Sequence, residues 1–211
     1  MKNEGTKTNR IYQYRAHPWH GVSPGENAPE VVNAYIEVVP NDTVKYELDK
    51  ETGLLKVDRP QLYSNIYPSL YGMVPRTYCG EKVGKYFSRS LGGEKIKGDG
   101  DPLDICVLTE ELVPHGDILL RARPIGGFRL VDNGEADDKI LAVLLNDALY
   151  GEWETVKDCP ESVMRRLEHF FLTYKQMPGG QEKCRLEGRY DRREALEVIR
   201  LACEDYRDEF E

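Results

Sequence analysis

The densest chemistry in the sequence is Asp99-Gly100-Asp101-Pro102-Leu103-Asp104, three carboxylates placed where a loop enters an apolar strand. Two carboxylates about 4 Å apart repel by roughly 4 kcal/mol at an effective dielectric near 20, so the group must be solvated, protonated or holding cations. Pro102 stiffens the turn and the start of the strand fixes Asp104, which favours a preformed cation site. Oxygen ligands of this kind suit Mg²⁺ or Mn²⁺ rather than zinc. A solvated acidic turn accounts for the spacing equally well. A second acidic group, Asp132-Asn133-Gly134-Glu135-Ala136-Asp137-Asp138, precedes Lys139 and by itself reads as a hairpin loop between two strands. Neither group is an EF-hand: Leu103 stands where a third oxygen ligand is needed after Asp99 and Asp101, and no Gly or terminal Glu follows in register.

Complementary charge lies elsewhere in the chain. Lys45 and Glu47 share one face of a strand whose other face carries Val44, Tyr46 and Leu48, and Glu37 lies on the charged side of the preceding strand. An ordinary solvated sheet face explains these equally well. Arg59 ends a third strand, Tyr67 and Tyr71 flank Pro68-Ser69-Leu70, and Tyr174-Lys175 comes late in a helix; singly, each has a structural reading. His17-Pro18-Trp19-His20 could offer a metal pair, but Pro18 opposes a helix and no nearby carboxylate completes the set, so a structural role is the stronger reading. The acidic tail from Glu204 to Glu211 reads as a solvated helix end.

These residues need elements to hold them. Residues 1–30 carry Pro18, Pro24 and Pro29 and no sustained period, and are expected to lie over the domain as an extension. From Val31 to Leu145 the pattern is β. Ala34, Ile36 and Val38 alternate with Asn33, Tyr35 and Glu37, and turns at Pro40–Asp42 and Asp49–Gly53 make residues 31–58 a three-stranded meander. Further strands are expected at Leu103–Leu108, Asp117–Arg123, Gly127–Val131 and Lys139–Leu145. Gly80, Gly84, Gly92, Gly93 and Gly98 mark 76–98 as a long inserted loop or hairpin. After Pro160 the period becomes helical through Val163, Leu167, Phe170, Phe171 and Tyr174, and a second helix is expected over Arg192–Phe210. Many short strands followed by two helices predict an α+β domain over 31–211, a small β-barrel with helices packed outside.

Composition narrows the function classes. The chain has 211 residues, 40% of them apolar and 31% charged, enough for one generous core. Its net charge of −8 supplies no general field for nucleic acid or an anionic bilayer, so an anionic substrate must be captured locally. Apolar runs such as Ile140–Leu145 are too short to span a membrane, and the polar start offers no signal peptide. The five cysteines are widely spaced without a C-x-x-C, which suits free thiols in a reducing compartment, and a cytoplasmic location is the expectation.

Taken in order, Glu37, VKYELDKETGLLKVDR, Tyr67 to Tyr71-Gly72, GDGDPLD, the acidic loop ending in Lys139, and Tyr174-Lys175 resemble the soluble family I inorganic pyrophosphatases over roughly residues 31–175. The resemblance implies a five-stranded OB-like barrel whose cavity takes pyrophosphate, and a homo-oligomer. It implies that Asp99, Asp104 and Asp137 are the principal Mg²⁺ ligands, helped by Asp132 and Glu37, and that Asp101 is the general base. Lys45, Arg59, Lys139, Tyr71, Tyr174 and Lys175 would face the phosphates, supported by Glu47 and Tyr67. The physics agrees, because an acidic protein can hold a substrate approaching four negative charges only through divalent cations and a local ring of Lys and Arg. A metal-acidified water would lose its proton to Asp101 and attack one phosphorus in line, with no phosphoenzyme. The resemblance leaves the 1–30 extension, the 76–98 insertion and a Gly-containing connection over 176–190 outside the short bacterial pattern.

Two other classes compete. An Asp-x-Asp phosphatase forming an aspartyl phosphate needs its acidic pair at the end of a strand, whereas Asp99 and Asp101 precede one. An OB-type nucleic-acid binder is opposed by the net charge and by carboxylates in the groove.

Overall fold

Five strands close into a ring because apolar residues run unbroken along several of them and must be covered on both faces. The structure, a computed structural model, describes residues 15–175, 179 and 183–211. The ring consists of β1 (Val32–Val38), β4 (Leu70–Met73), β6 (Asp104–Leu108), β9 (Lys139–Leu144) and β7 (Ile118–Asp132), and β7 pairs back onto β1. All pairings in the ring are antiparallel except β6 with β9. Side chains alternate across a strand, so Ile105, Val107, Ile140 and Ala142 join one buried cluster while Cys106, Leu108, Leu141 and Val143 join another. The first is covered by α3 (Arg192–Phe210) and the second by α2 (Glu161–Thr173). This is the expected OB-like barrel with two C-terminal helices outside.

The expected strands at Asp117–Arg123 and Gly127–Val131 are one strand, β7. Instead of turning, the chain kinks through a register shift between Pro124 and Gly126. Gly126 is required at that kink, since any Cβ would run into the Tyr190 carbonyl and Val156. The N-terminal half of β7 pairs with β1 and the C-terminal half with β10 (Cys184–Asp191). β10 also corrects the expected 176–190 connection, of which residues 176–178 and 180–182 lie outside the described set.

The expected meander over 31–58 is also corrected. Both edges of β1 are taken by β4 and β7, so β2 (Val44–Leu48) and β3 (Leu55–Pro60) form a separate two-stranded hairpin standing beside the ring. Asp42 Oδ2 accepts the Val39 N–H at 2.9 Å and turns the chain out of the ring.

The 76–98 segment is not a loop or hairpin. It contains α1 (Glu81–Ser90), which buries Val83, Gly84 and Phe87, and it ends in the short strand β5 (Lys97–Gly98), parallel to β8 (Glu135–Ala136). Glycines concealed the helix. Gly84 is there because the helix lies close against the backbone of Gly98, not because the chain turns. The N-terminus of α1 is closed from another element: buried Asp205 of α3 accepts the N–H groups of Gly80, Lys82 and Val83 at 3.1, 3.0 and 3.0 Å. The tail from Glu204 is therefore not wholly a solvated end, since Asp205 and Tyr206 are buried.

Residues 15–30 of the extension cross over the domain, and residues 1–14 lie outside the described set. Trp19 is buried and its Nε1 donates to the Thr77 carbonyl at 2.8 Å. His17 Nδ1 accepts the N–H groups of Trp19 and His20, and His20 bonds the Tyr206 hydroxyl at 2.7 Å. The His17–His20 run is thus a structural turn.

Candidate active site

One cavity of about 220 Å³ gathers residues from distant parts of the chain. Among the described residues its wall carries eight carboxylates, from Glu37, Glu47, Asp99, Asp101, Asp104, Asp132, Glu135 and Asp137, and four lysines, Lys45, Lys50, Lys139 and Lys175. The barrel explains the gathering. Parallel pairing sets Asp104 opposite Lys139 at the entry of β6 and β9, and antiparallel pairing sets Asp104 beside Met73 of β4. The Asp99–Asp101 turn leads into β6 through Gly100, whose φ of +74° a side chain would strain, and Asp101 N–H donates back to Asp99 Oδ1 at 2.9 Å. Asp132 ends β7 and Asp137 follows β8, joined by the Asn133-Gly134 turn.

Charge pairing is tight. Lys139, only 3% exposed, reaches Asp137 Oδ1 at 2.5 Å and also bonds Asp104, which accepts the Tyr71 hydroxyl at 2.5 Å. Burial would push Lys139 down, but Asp104 and Asp137 overcome it and hold the ammonium well above its ordinary value. Lys175 pairs with Asp132 and Lys50 with Asp101. Lys45 bridges Glu47 and Asp58, each at 3.0 Å.

Several carboxylates are left under strain of their own charge. Burial, opposed by the Leu48 N–H that Glu37 Oε1 accepts at 2.7 Å, pushes Glu37 up to about 8. Burial and then the neighbouring Asp137 push Asp99 up to about 8, and burial raises Asp137 against the pull of Lys139. Buried anionic oxygen that the protein does not fully neutralise is the environment a small hard cation relieves, and the all-oxygen donor set fits Mg²⁺. Among the described residues no three His, Cys, Asp or Glu side chains form a ready ligand set, and Lys139 sits between Asp104 and Asp137, offsetting part of their charge.

Twelve of the fourteen residues expected from the sequence line this cavity; Arg59 and Tyr67 do not. Arg59 pairs with Lys45 across the hairpin but its guanidinium bonds Asp58 of its own strand. Tyr67 lies behind the wall, with ring centroids 5.0 Å from Tyr71 and 4.7 Å from Phe170. Tyr174 closes one side, its hydroxyl raised by burial. The sequence reading missed Lys50, Asp58 and Glu135. Asp58 and Lys50 flank the Lys45 strand in the same charged segment, and only the fold shows which of those charges converge.

Barrel and cavity define a class: an OB-like barrel with a cavity in its wall lined by carboxylates and lysines. The sequence matches the inorganic pyrophosphatase family over residues 34–207. It is 55% identical over 195 residues to the inorganic pyrophosphatase of Chlamydia muridarum (strain MoPn / Nigg), covering 90% of this chain and 93% of that protein. It is 42% identical over 161 residues to a soluble inorganic pyrophosphatase of Oryza sativa subsp. indica, covering 76% of this chain and 66% of that protein. Among solved structures, the inorganic pyrophosphatase from Thermus thermophilus matches with a TM-score of 0.77 at 30% identity, covering 91% of this chain and 99% of that one. The chain belongs to the inorganic pyrophosphatase family. Among the described residues no helix is long and apolar enough to cross a membrane.

Proposed function

We propose that the cavity hydrolyses inorganic pyrophosphate to two orthophosphates by direct attack of water, with Asp101 as the general base. Family membership makes the chain an inorganic diphosphatase; the observation that supports this assignment of roles is Lys139, buried between Asp104 and Asp137 on a wall of carboxylates. Asp99, Asp104 and Asp137 would hold Mg²⁺, with Asp132 and Glu37 beside them, and Mn²⁺ is the expected substitute. When bound, the cations acidify a water and neutralise phosphoryl charge. Asp101, at the mouth of the turn and half-exposed, takes the proton. Lys45, Lys139, Lys175, Tyr71 and Tyr174 bind and orient the phosphates, and Arg59 joins them by exchanging Asp58 for a phosphate oxygen. Glu47 steadies Lys45, and Tyr67 backs Tyr71. No phosphoenzyme enters the scheme, since an in-line displacement needs only positioned groups and charge stabilisation.

The reading includes a cytoplasmic setting, supported by five cysteines that are all free thiols, and self-association, which is the expectation carried by the family resemblance. The test is phosphate release from pyrophosphate by the purified chain with Mg²⁺ and with excess EDTA. Turnover that chelation abolishes and Mg²⁺ restores is the expected result; turnover that survives full chelation overturns the metal-dependent scheme.

A further inference from the structure

Three of the cavity lysines stand on regular elements or at their ends: Lys45 on β2, Lys139 on β9, and Lys175 just past α2. Lys50 stands on the turn between β2 and β3 and is anchored by the N-terminal extension. His17 Nδ1 accepts two backbone N–H groups, which leaves Nε2 to donate to the Lys50 carbonyl at 3.1 Å. The Lys50 ammonium lies 5.8 Å from the centroid of the buried Trp19 ring. Trp19 is in turn tied to the base of the acidic turn: its indole donates to the Thr77 carbonyl, and Thr77 Oγ1 accepts the N–H of Leu103 at 2.9 Å. One scaffold therefore seats Lys50 and the Asp99–Asp104 turn together, and the two meet in the Lys50–Asp101 ion pair.

Exposure separates Lys50 from its neighbours. Its side chain is 47% exposed, against 20% for Lys45, 3% for Lys139 and 26% for Lys175, so it stands at the mouth. An ion pair this exposed is weak enough to be exchanged. A phosphoryl group offers an ammonium several anionic oxygens in place of one carboxylate, and the flexible lysine stem allows the transfer.

We propose that Lys50 is a further pyrophosphate-binding residue, parked on Asp101 in the free enzyme by the N-terminal extension and drawn onto a phosphoryl oxygen when substrate enters, which uncovers Asp101 Oδ1. This rests on the reading of Asp101 as the base. It gives residues 17–19 of the extension a part in the reaction: they set the reach of a substrate cation.

The test compares the full-length chain with K50Q, K50R and H17A in two measurements. The first is steady-state pyrophosphate hydrolysis at saturating Mg²⁺; the second is calorimetric titration with Mg²⁺ alone and then with inorganic phosphate. K50Q is expected to raise KM and weaken phosphate binding by about 10-fold, the loss of one charged hydrogen bond, with little change in kcat or Mg²⁺ affinity. K50R keeps the charge and should recover most of the binding. H17A, checked for an unchanged melting temperature, should fall between. If K50Q leaves KM and phosphate affinity within two-fold while the unmodified chain turns over normally, Lys50 is only a surface ion pair and the inference is wrong. A fall in kcat with KM unchanged overturns it too, because Lys50 would then act on Asp101 and not on substrate. Failure of the unmodified chain to release phosphate would instead sink the underlying functional reading.

Discussion

Asp205, near the C-terminal end of α3, accepts the Val83 N–H at 3.0 Å and so caps a helix that begins more than a hundred residues earlier. The donor groups at the start of α1 have no local side-chain cap, since Gly80 stands at the N-cap. A buried carboxylate therefore joins α1 to α3 by hydrogen bonds that neither helix can replace from its own sequence.

Asp205→Asn should cost about 1–2 kcal/mol and Asp205→Ala about 2–4 kcal/mol, because three helix N-terminal donors, one of them buried, lose a buried side-chain acceptor. Urea unfolding followed by circular dichroism measures both. A loss below about 0.5 kcal/mol for the alanine variant would mean that water replaces the cap.

Phe87 is the deepest side chain α1 contributes, packed with Ile96, Val131 and Ala136. Phe87→Ala should cost about 3–5 kcal/mol, and replacing Lys82–Lys95 by a short Gly/Ser linker should destabilise the domain further while leaving kcat of the folded fraction near normal. None of the proposed ligands lies in that segment. A collapse of kcat in a linker variant that is still folded would show instead that α1 shapes the cavity through β5.

Asp101 and Asp104 sit three residues apart on one turn yet are assigned different work. Asp101→Asn should lower kcat by roughly 10²–10⁴ with Mg²⁺ affinity little changed. Asp104→Asn keeps an acceptor oxygen but removes the negative charge that Tyr71 and Lys139 share and that a cation would need, so its Mg²⁺ requirement should rise steeply and added Mg²⁺ should restore part of the rate. Metal titration of both variants decides: rescue of the Asp101 variant alone would reverse the two roles.

His20, stacked on Trp19 at 4.3 Å between ring centroids, is held below its ordinary value chiefly by burial, with His17 and Arg76 adding to the effect. The folded state thus prefers the neutral ring, and the unfolded chain binds the proton more readily. The resulting stability is present above pH about 6.5 and is lost as the pH falls from there through the lower folded value. His20→Gln should therefore narrow the gap in melting temperature between pH 7.5 and pH 5; an unchanged gap would show that His20 takes no part.

Local signals in the sequence were sufficient where one element carries its own pattern. The helical period after Arg192 marks α3 to its last residue, and Asp191 caps it from the adjacent position by accepting the Glu194 N–H. The order of the acidic turn, the Lys45 strand and Tyr174-Lys175 was enough to indicate the family, because residue type and spacing along the chain carry that information directly. Side-chain convergence does not have a local signature. Lys139 lies between Asp104 and Asp137 only because β6 and β9 pair in parallel at that register, and Arg59 bonds Asp58 only because the β2–β3 hairpin stands outside the ring. The helix α1 was hidden for the same reason: its glycine permits close approach to Gly98 and its cap arrives from Asp205, so the contacts that stabilise it are tertiary. Residue chemistry and spacing thus indicated the family and its substrate, while the barrel's pairing decided which charges meet, since electrostatic partners are set by distance in space and not by position in the chain.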